Sequence, residues 1–263
     1  MHSIRIATAL GALFLTAIPA TAQREETFRW SGELAAGRTL EVRGVSGSIE
    51  ARPSSGRSVE VVAVKQGEDD DPRQVDVEVI EGAAGIEICV VYPGERGGRI
   101  TTCRESDDDD EGEDMDSDVV VDFAIQVPAG VVFEGSTVNG GIVVASLQGD
   151  VSVTTVNGGI SVASSGTVEA RTVNGSITAT TGQPTWSGTL DFQTVNGSIT
   201  LTLPASAGAT VAAETVNGGF SSDFPLTVDA GRWGPKKVTG TIGSGGGRLV
   251  LETVNGGISI RKS

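Results

Sequence analysis

Thr172-Val173-Asn174-Gly175-Ser176-Ile177 decides the fold, because it returns nearly unchanged at Thr137–Ile142, Thr155–Ile160, Thr194–Ile199, Thr215–Phe220 and Thr253–Ile258. The asparagines Asn139, Asn157, Asn174, Asn196, Asn217 and Asn255 lie 18, 17, 22, 21 and 38 residues apart. Val238-Thr239-Gly240-Thr241-Ile242 reads as a worn copy inside the long gap, and Val45-Ser46-Gly47-Ser48-Ile49 as another near the start. A fixed corner returning after about 20 residues signals stacked units, none able to bury its apolar face alone.

Around each corner, apolar and polar residues alternate as in strands with one buried face: Val151, Val153 and Thr155 before one, Ile160 and Val162 after it. Asn-Gly between alternating runs is also a hairpin signal, so a meander competes with a solenoid. Recurrence of Thr, Val and Asn together favours the solenoid, where each residue stacks about 4.8 Å above its counterpart. In that geometry the Asn amides can form a ladder, each both donating and accepting. Gly140, Gly158, Gly175, Gly197, Gly218 and Gly256 are expected to supply backbone freedom at the corner. The expectation is an all-β single-chain β-solenoid with Asn-Gly corners at 136–263, continuous with a less regular β region at 23–135.

In that first region, alternating runs at Phe28–Leu34, Thr39–Val45, Ser58–Val64, Gln74–Ile80, Gly85–Val91 and Val119–Val127 predict further strands. No window keeps a helical period. Residues 1–22 carry Arg5, an apolar run from Ile6 to Ile18 and Ala20-Thr21-Ala22, the pattern of a secretory leader. No later stretch is long and apolar enough to span a membrane, and no Cys follows the cleavage site to take a lipid. Periplasm, cell envelope or medium is the expected location.

Without the leader, 18 basic residues face 34 acidic ones, a formal charge of −16 that disfavours nucleic acid and anionic lipid as partners. Cys89 and Cys103 are the only cysteines, and an isolated pair in an oxidising compartment predicts one disulfide. The only histidine, His2, lies in the leader, which removes the commonest general acid–base group.

The T-V-N-G-[GS]-I corners, the run Gly240-Thr241-Ile242-Gly243-Ser244-Gly245-Gly246-Gly247 and the closing Leu249–Gly256 segment resemble the bacterial β-strand-repeat family labelled "putative adhesin", a domain of unknown function. The resemblance spans residues 36 to 261. It implies stacked short strands in an exported, envelope-associated protein, and no catalytic residues or cofactor.

Three sets of residues stand as candidate sites. Asp107, Asp108, Asp109, Asp110, Asp114, Asp116 and Asp118 could hold Ca²⁺, although an acidic block of this kind is ordinarily a solvated loop. Trp30, Trp186 and Trp233 could stack on sugar rings, the latter two in insertions at Gly182–Gly188 and Asp229–Lys237. A polysaccharide-acting enzyme would rest on Asp150, Glu169, Arg171, Asp191 or Glu214, all at outward parity. The sequence thus points to a non-enzymatic adhesin or envelope-component binding module, with a glycan or protein partner. The alternatives are a carbohydrate-active enzyme and a calcium-stabilised module. Arg261-Lys262-Ser263 is the only visible charge to blunt a C-terminal strand edge, so end-to-end self-association is a further expectation.

Overall fold

The computed structural model describes residues 24–94, 98–103, 117–229 and 236–263. The leader, most of the acidic run (Asp107 to Asp116) and Trp233 lie outside these residues. In the first region the strands are β1 (Arg24–Glu33), β2 (Thr39–Arg43), β3 (Ile49–Pro53), β4 (Ser58–Gly67), β5 (Asp76–Glu81), β6 (Gly85–Pro93), β7 (Arg99–Thr101) and β8 (Val120–Val127). Four regular coils follow as pairs: β9 (Val132–Ser136) with β10 (Ile142–Leu147), β11 (Val151–Asn157) with β12 (Ile160–Ser164), β13 (Val168–Asn174) with β14 (Ile177–Thr181), and β15 (Thr189–Asn196) with β16 (Ile199–Leu203). The remaining strands are β17 (Ala209–Asn217), β18 (Phe220–Ser222), β19 (Thr227–Asp229), β20 (Lys236–Ile242), β21 (Gly247–Asn255) and β22 (Ile258–Lys262). The one helical element among the described residues is a 3-10 turn at Pro72–Gln74.

Each coil gives one strand to each of two sheets, and the corner motif carries the chain from one sheet to the other. One sheet runs β1-β4-β8-β3-β10-β12-β14-β16-β22-β18, the other β19-β20-β17-β21-β15-β13-β11-β9-β2-β6-β5, with β7 on β6. Coils pair in parallel and in register, Ile142 on Ile160 on Ile177 on Ile199 on Ile258, so the meander is excluded. Between the sheets, period-2 alternation drives every second residue into one continuous core that also takes in Leu40, Ile49 and Phe123 of the first region. The stacked isoleucines are at most 2% exposed, each worth about 1.5–3 kcal/mol of burial.

Two expectations fail. Val238–Ile242 is not a worn corner: it lies within β20, antiparallel to β17, with Gly240 opposite Val211. Its Thr-Gly-Thr-Ile resembles the corner only because both alternate small polar and β-branched residues. Nor does the C-terminal strand form an edge. β21 and β22 insert between the coil of β15 and β16 and the coil of β17 and β18, so the chain lays down the outer coil first and returns to fill the gap. The C-terminal side is closed instead by the antiparallel strands β20 and β19 and the three-residue β18.

The first region repeats that manoeuvre: β2 and β3 form the first coil, and β6 and β8 pack outside it before β9 and β10 join its other side. Ser46, in the worn copy at Val45–Ile49, does bridge to Asn139 in a true corner. Cys89 of β6 and Cys103 form the expected disulfide, with Cα atoms 5.2 Å apart. Beneath β1 and β4, the buried Lys65 Nζ donates to Val75 O at 2.7 Å and pairs with Glu26 at 2.8 Å.

Candidate ligand-binding groove

The four letters of the corner have four different physical jobs. The threonines point inward, and each hydroxyl donates to the glycine carbonyl of the neighbouring corner: Thr155 to Gly140, Thr172 to Gly158, Thr194 to Gly175, Thr253 to Gly197 and Thr215 to Gly256, at 2.8–2.9 Å. Half-buried carbonyls left bare by the turn are thereby satisfied. The asparagines form an unbroken amide ladder, Nδ2 to Oδ1, linking Asn139, Asn157, Asn174, Asn196, Asn255 and Asn217 at 2.8–2.9 Å. Their amides therefore spend their strongest bonds on one another.

The corner glycines need correction. None of the six has positive φ, so conformational freedom is not their purpose. A Cβ on Gly175 would stand 1.9 Å from the Gly158 carbonyl oxygen, and the other five meet the same obstacle at 1.8–2.0 Å. Close approach of successive backbones demands glycine here.

The valines are the groove-lining residues that reading by hydropathy misses. Val138, Val156, Val173, Val195, Val254 and Val216 are 37–42% exposed, an apolar rail along the outer surface of the second sheet. Parity held the signal: Thr inward puts the next residue outward, and a β-branched apolar residue repeated six times at an outward position is not explained by the core.

Beside the rail, two residues earlier on each strand, runs a polar row: Thr154, Arg171, Gln193, Glu252 and Glu214. Rail and row line an open groove of about 580 Å³ crossing five coils, or roughly 19 Å at ladder spacing. Arg171 pairs with Glu169 on its own strand and with Asp191 on the next at 3.0 Å, and Gln193 Nε2 donates to Asp191 at 3.0 Å. Glu214 pairs with Lys237 at 3.3 Å. Arg171 is thus offset by two carboxylates and Glu214 by one lysine, so the polar row carries paired charges rather than a field of one sign.

Residues 129–261 match the model of the family Toastrack DUF4097. The chain belongs to that family. The Toastrack match begins just ahead of β9 and so takes in every regular corner. Two solved structures share a likeness with the chain: "a putative cell adhesion protein" from Clostridium sporogenes, at 12% identity and a TM-score of 0.45, covering 90% of this chain and all of the other, and "a putative adhesin" from Bacteroides fragilis, at 10% identity and a TM-score of 0.29, covering 89% and 97%. No curated protein matches this Toastrack chain.

Other sequence-derived candidates divide. Glu169, Arg171 and Asp191 come together at the groove, whereas Asp150 accepts from Thr167 N at 2.7 Å and serves a turn. Asp191 and Glu214 are kept apart by β21. Trp186 packs against the core and donates Nε1 to Arg248 O at 3.3 Å, so its ring covers a coil end rather than offering a free platform. Trp30 sits on β1, six strands in the sheet order from β14, which leads into the Trp186 loop, and the two tryptophans share no site. Asp118 is the one described member of the proposed calcium set. Its carboxylate accepts from the backbone N–H of Asp69, Asp70 and Glu68, which holds its pKa below the ordinary carboxylate value and ties it to the 68–70 loop.

Proposed function

We propose that this protein is a non-enzymatic, exported binding module of the bacterial envelope, gripping an extended envelope polymer, glycan or polypeptide, along the valine-lined groove. The observation that carries this reading is the groove itself: an apolar rail and a parallel row of hydrogen-bonding and charged groups, repeated at strand spacing for about 19 Å. A linear ligand lying along the solenoid axis would meet a valine at every coil, and beside it a polar group that changes from Thr154 to Arg171, Gln193, Glu252 and Glu214. Chemistry is disfavoured because the two adjacent carboxylates, Glu169 and Asp191, are both engaged by Arg171. No metal or organic cofactor enters the reading, and among the described residues no helix is long and apolar enough to cross a membrane.

The test is capture from intact envelopes and on a glycan array, comparing the wild type with V173D/V195D and with a variant lacking Gly182–Gly188. The expected result is one partner class retained by the wild type and the loop deletion and lost by the groove variant. Equal capture by V173D/V195D would remove the groove as the binding face. Turnover of an envelope polysaccharide, abolished by D191N, would replace the reading with an enzymatic one.

A further inference from the structure

The four outer edges of the two sheets are not alike. β18 and β19 are three residues each, and β5 carries Asp76, Glu78 and Glu81, so three ends are short or acidic, as edges guarded against pairing tend to be. β1 is neither short nor of one charge sign: Glu25, Glu26 and Glu33 alternate with Arg24 and Arg29 along it. It is ten residues long, holds unbroken register with β4 from Arg24 opposite Gly67 to Glu33 opposite Ser58, and contains no proline or bulge. Among the described residues, nothing pairs with its other side. Phe28 and Trp30 pack against the core yet stay half-exposed, while Glu25, Thr27, Arg29 and Ser31 are exposed on the outer face.

We propose that β1 is the interface of a homodimer: two copies pair antiparallel through this edge, with Thr27 facing the partner's Thr27 on the two-fold axis. Both cores stay on one side of the extended sheet only if inward residues face inward residues, which limits the registers. Arg29 on the axis would set two guanidinium groups face to face. Phe28 on the axis brings no opposite charges together. Ser31 on the axis sets Arg29 against the partner's Glu33 but overlaps only five residues. Thr27 on the axis overlaps seven, from Arg24 to Trp30, and places Glu25 opposite the partner's Arg29 twice, with Arg24 beside the partner's Trp30. Charge complementarity therefore selects this register. The pairing also draws Phe28 and Trp30 of both copies toward one seam and removes the longest open edge. It uses the other sheet from the groove, so a dimer carries two grooves and gains avidity toward a polymeric ligand.

Sedimentation equilibrium from micromolar to near-millimolar concentration tests this, with R29E, the charge-swapped E25R/R29E and T27C as variants. Reversible dimerisation of the wild type is expected, weakened roughly tenfold or more by R29E, where two opposed pairs become like-charged. E25R/R29E keeps the wild-type net charge and is expected to restore the dimer. T27C is expected to cross-link to a disulfide dimer under mild oxidation, since both native cysteines are already bonded, whereas E33C is not. Circular dichroism and Tm unchanged in each variant show that the fold survives. A wild type that remains monomeric throughout, or an R29E protein that dimerises as the wild type does, overturns the proposal.

Discussion

Replacing Gly175 by alanine tests the central claim that backbone approach, not backbone flexibility, fixes the repeat. The new Cβ would lie 1.9 Å from Gly158 O and 2.5 Å from Gly158 C, both backbone atoms that cannot swing aside. Normal contact requires a separation of more than 1 Å beyond this, so the two corners must part locally. Besides the Asn174–Asn157 amide bond, three bonds span that junction: Gly158 N to Asn174 O and Ile160 N to Ser176 O, each 3.0 Å, and Thr172 Oγ1 to Gly158 O at 2.9 Å. At about 1 kcal/mol net for each, the loss is about 3 kcal/mol. For a chain of this size that corresponds to a Tm drop of roughly 6–12 °C. Two controls separate this from a generic glycine effect. G182A has nothing within 4 Å and no positive φ, and is expected to be neutral or stabilising by about 0.4–1 kcal/mol. G159S places its Cβ 3.4 Å from Ser176 O, an ordinary contact, at the motif position where Ser176 and Ser198 already stand. Urea unfolding of the three variants reads the difference directly. If G175A unfolds within about 0.5 kcal/mol of the wild type, close to the usual range of harmless surface changes, the close-approach argument is wrong.

T172V keeps shape but deprives the half-buried Gly158 carbonyl of its donor, and should cost about 0.5–1.5 kcal/mol by urea unfolding. Deleting residues 247–263 should not act as a terminal trim: with β21 and β22 gone, β15 and β17 lose the strand between them, so limited proteolysis should cut within 209–242 while the coils from β9 to β16 persist. Reducing the Cys89–Cys103 bond, which closes a loop of about 15 residues, is expected to destabilise by up to about 3 kcal/mol, seen as a lower Tm with dithiothreitol that is absent in C89S/C103S. Asp118 is held below its unfolded value, so its contribution is fully present above about pH 4 and is lost as pH falls through the lower folded value; D118N should show lower Tm at neutral pH and a flatter acid limb.

The repeated hexapeptide was enough to establish the coil. Thr and Ile at inward parity, Asn at a stacking position and glycine at the turn fix the local path, because each is read by an identical neighbour one strand away. The disulfide and six of the eight strands of the first region were legible for similarly local reasons, period-2 alternation and an isolated cysteine pair, whereas the short β3 and β7 were not foreseen. The valine rail was written in the same letters but hidden by hydropathy, which assigns apolar residues to the core and ignores parity. Asp118 looked like part of a charge block, and only the packing of the 68–70 loop showed its carboxylate bonded to backbone. The order of the coils could not be read at all. Asn255 bonds equally well between Asn196 and Asn217 as it would beyond Asn217, since every corner offers the same amide, the same hydroxyl and the same carbonyl. Identical interfaces make the local match degenerate. The choice of neighbours is decided by what is not repeated: the antiparallel β20 that occupies the far side of β17, the cap it forms with β19, and the chain length needed to come back.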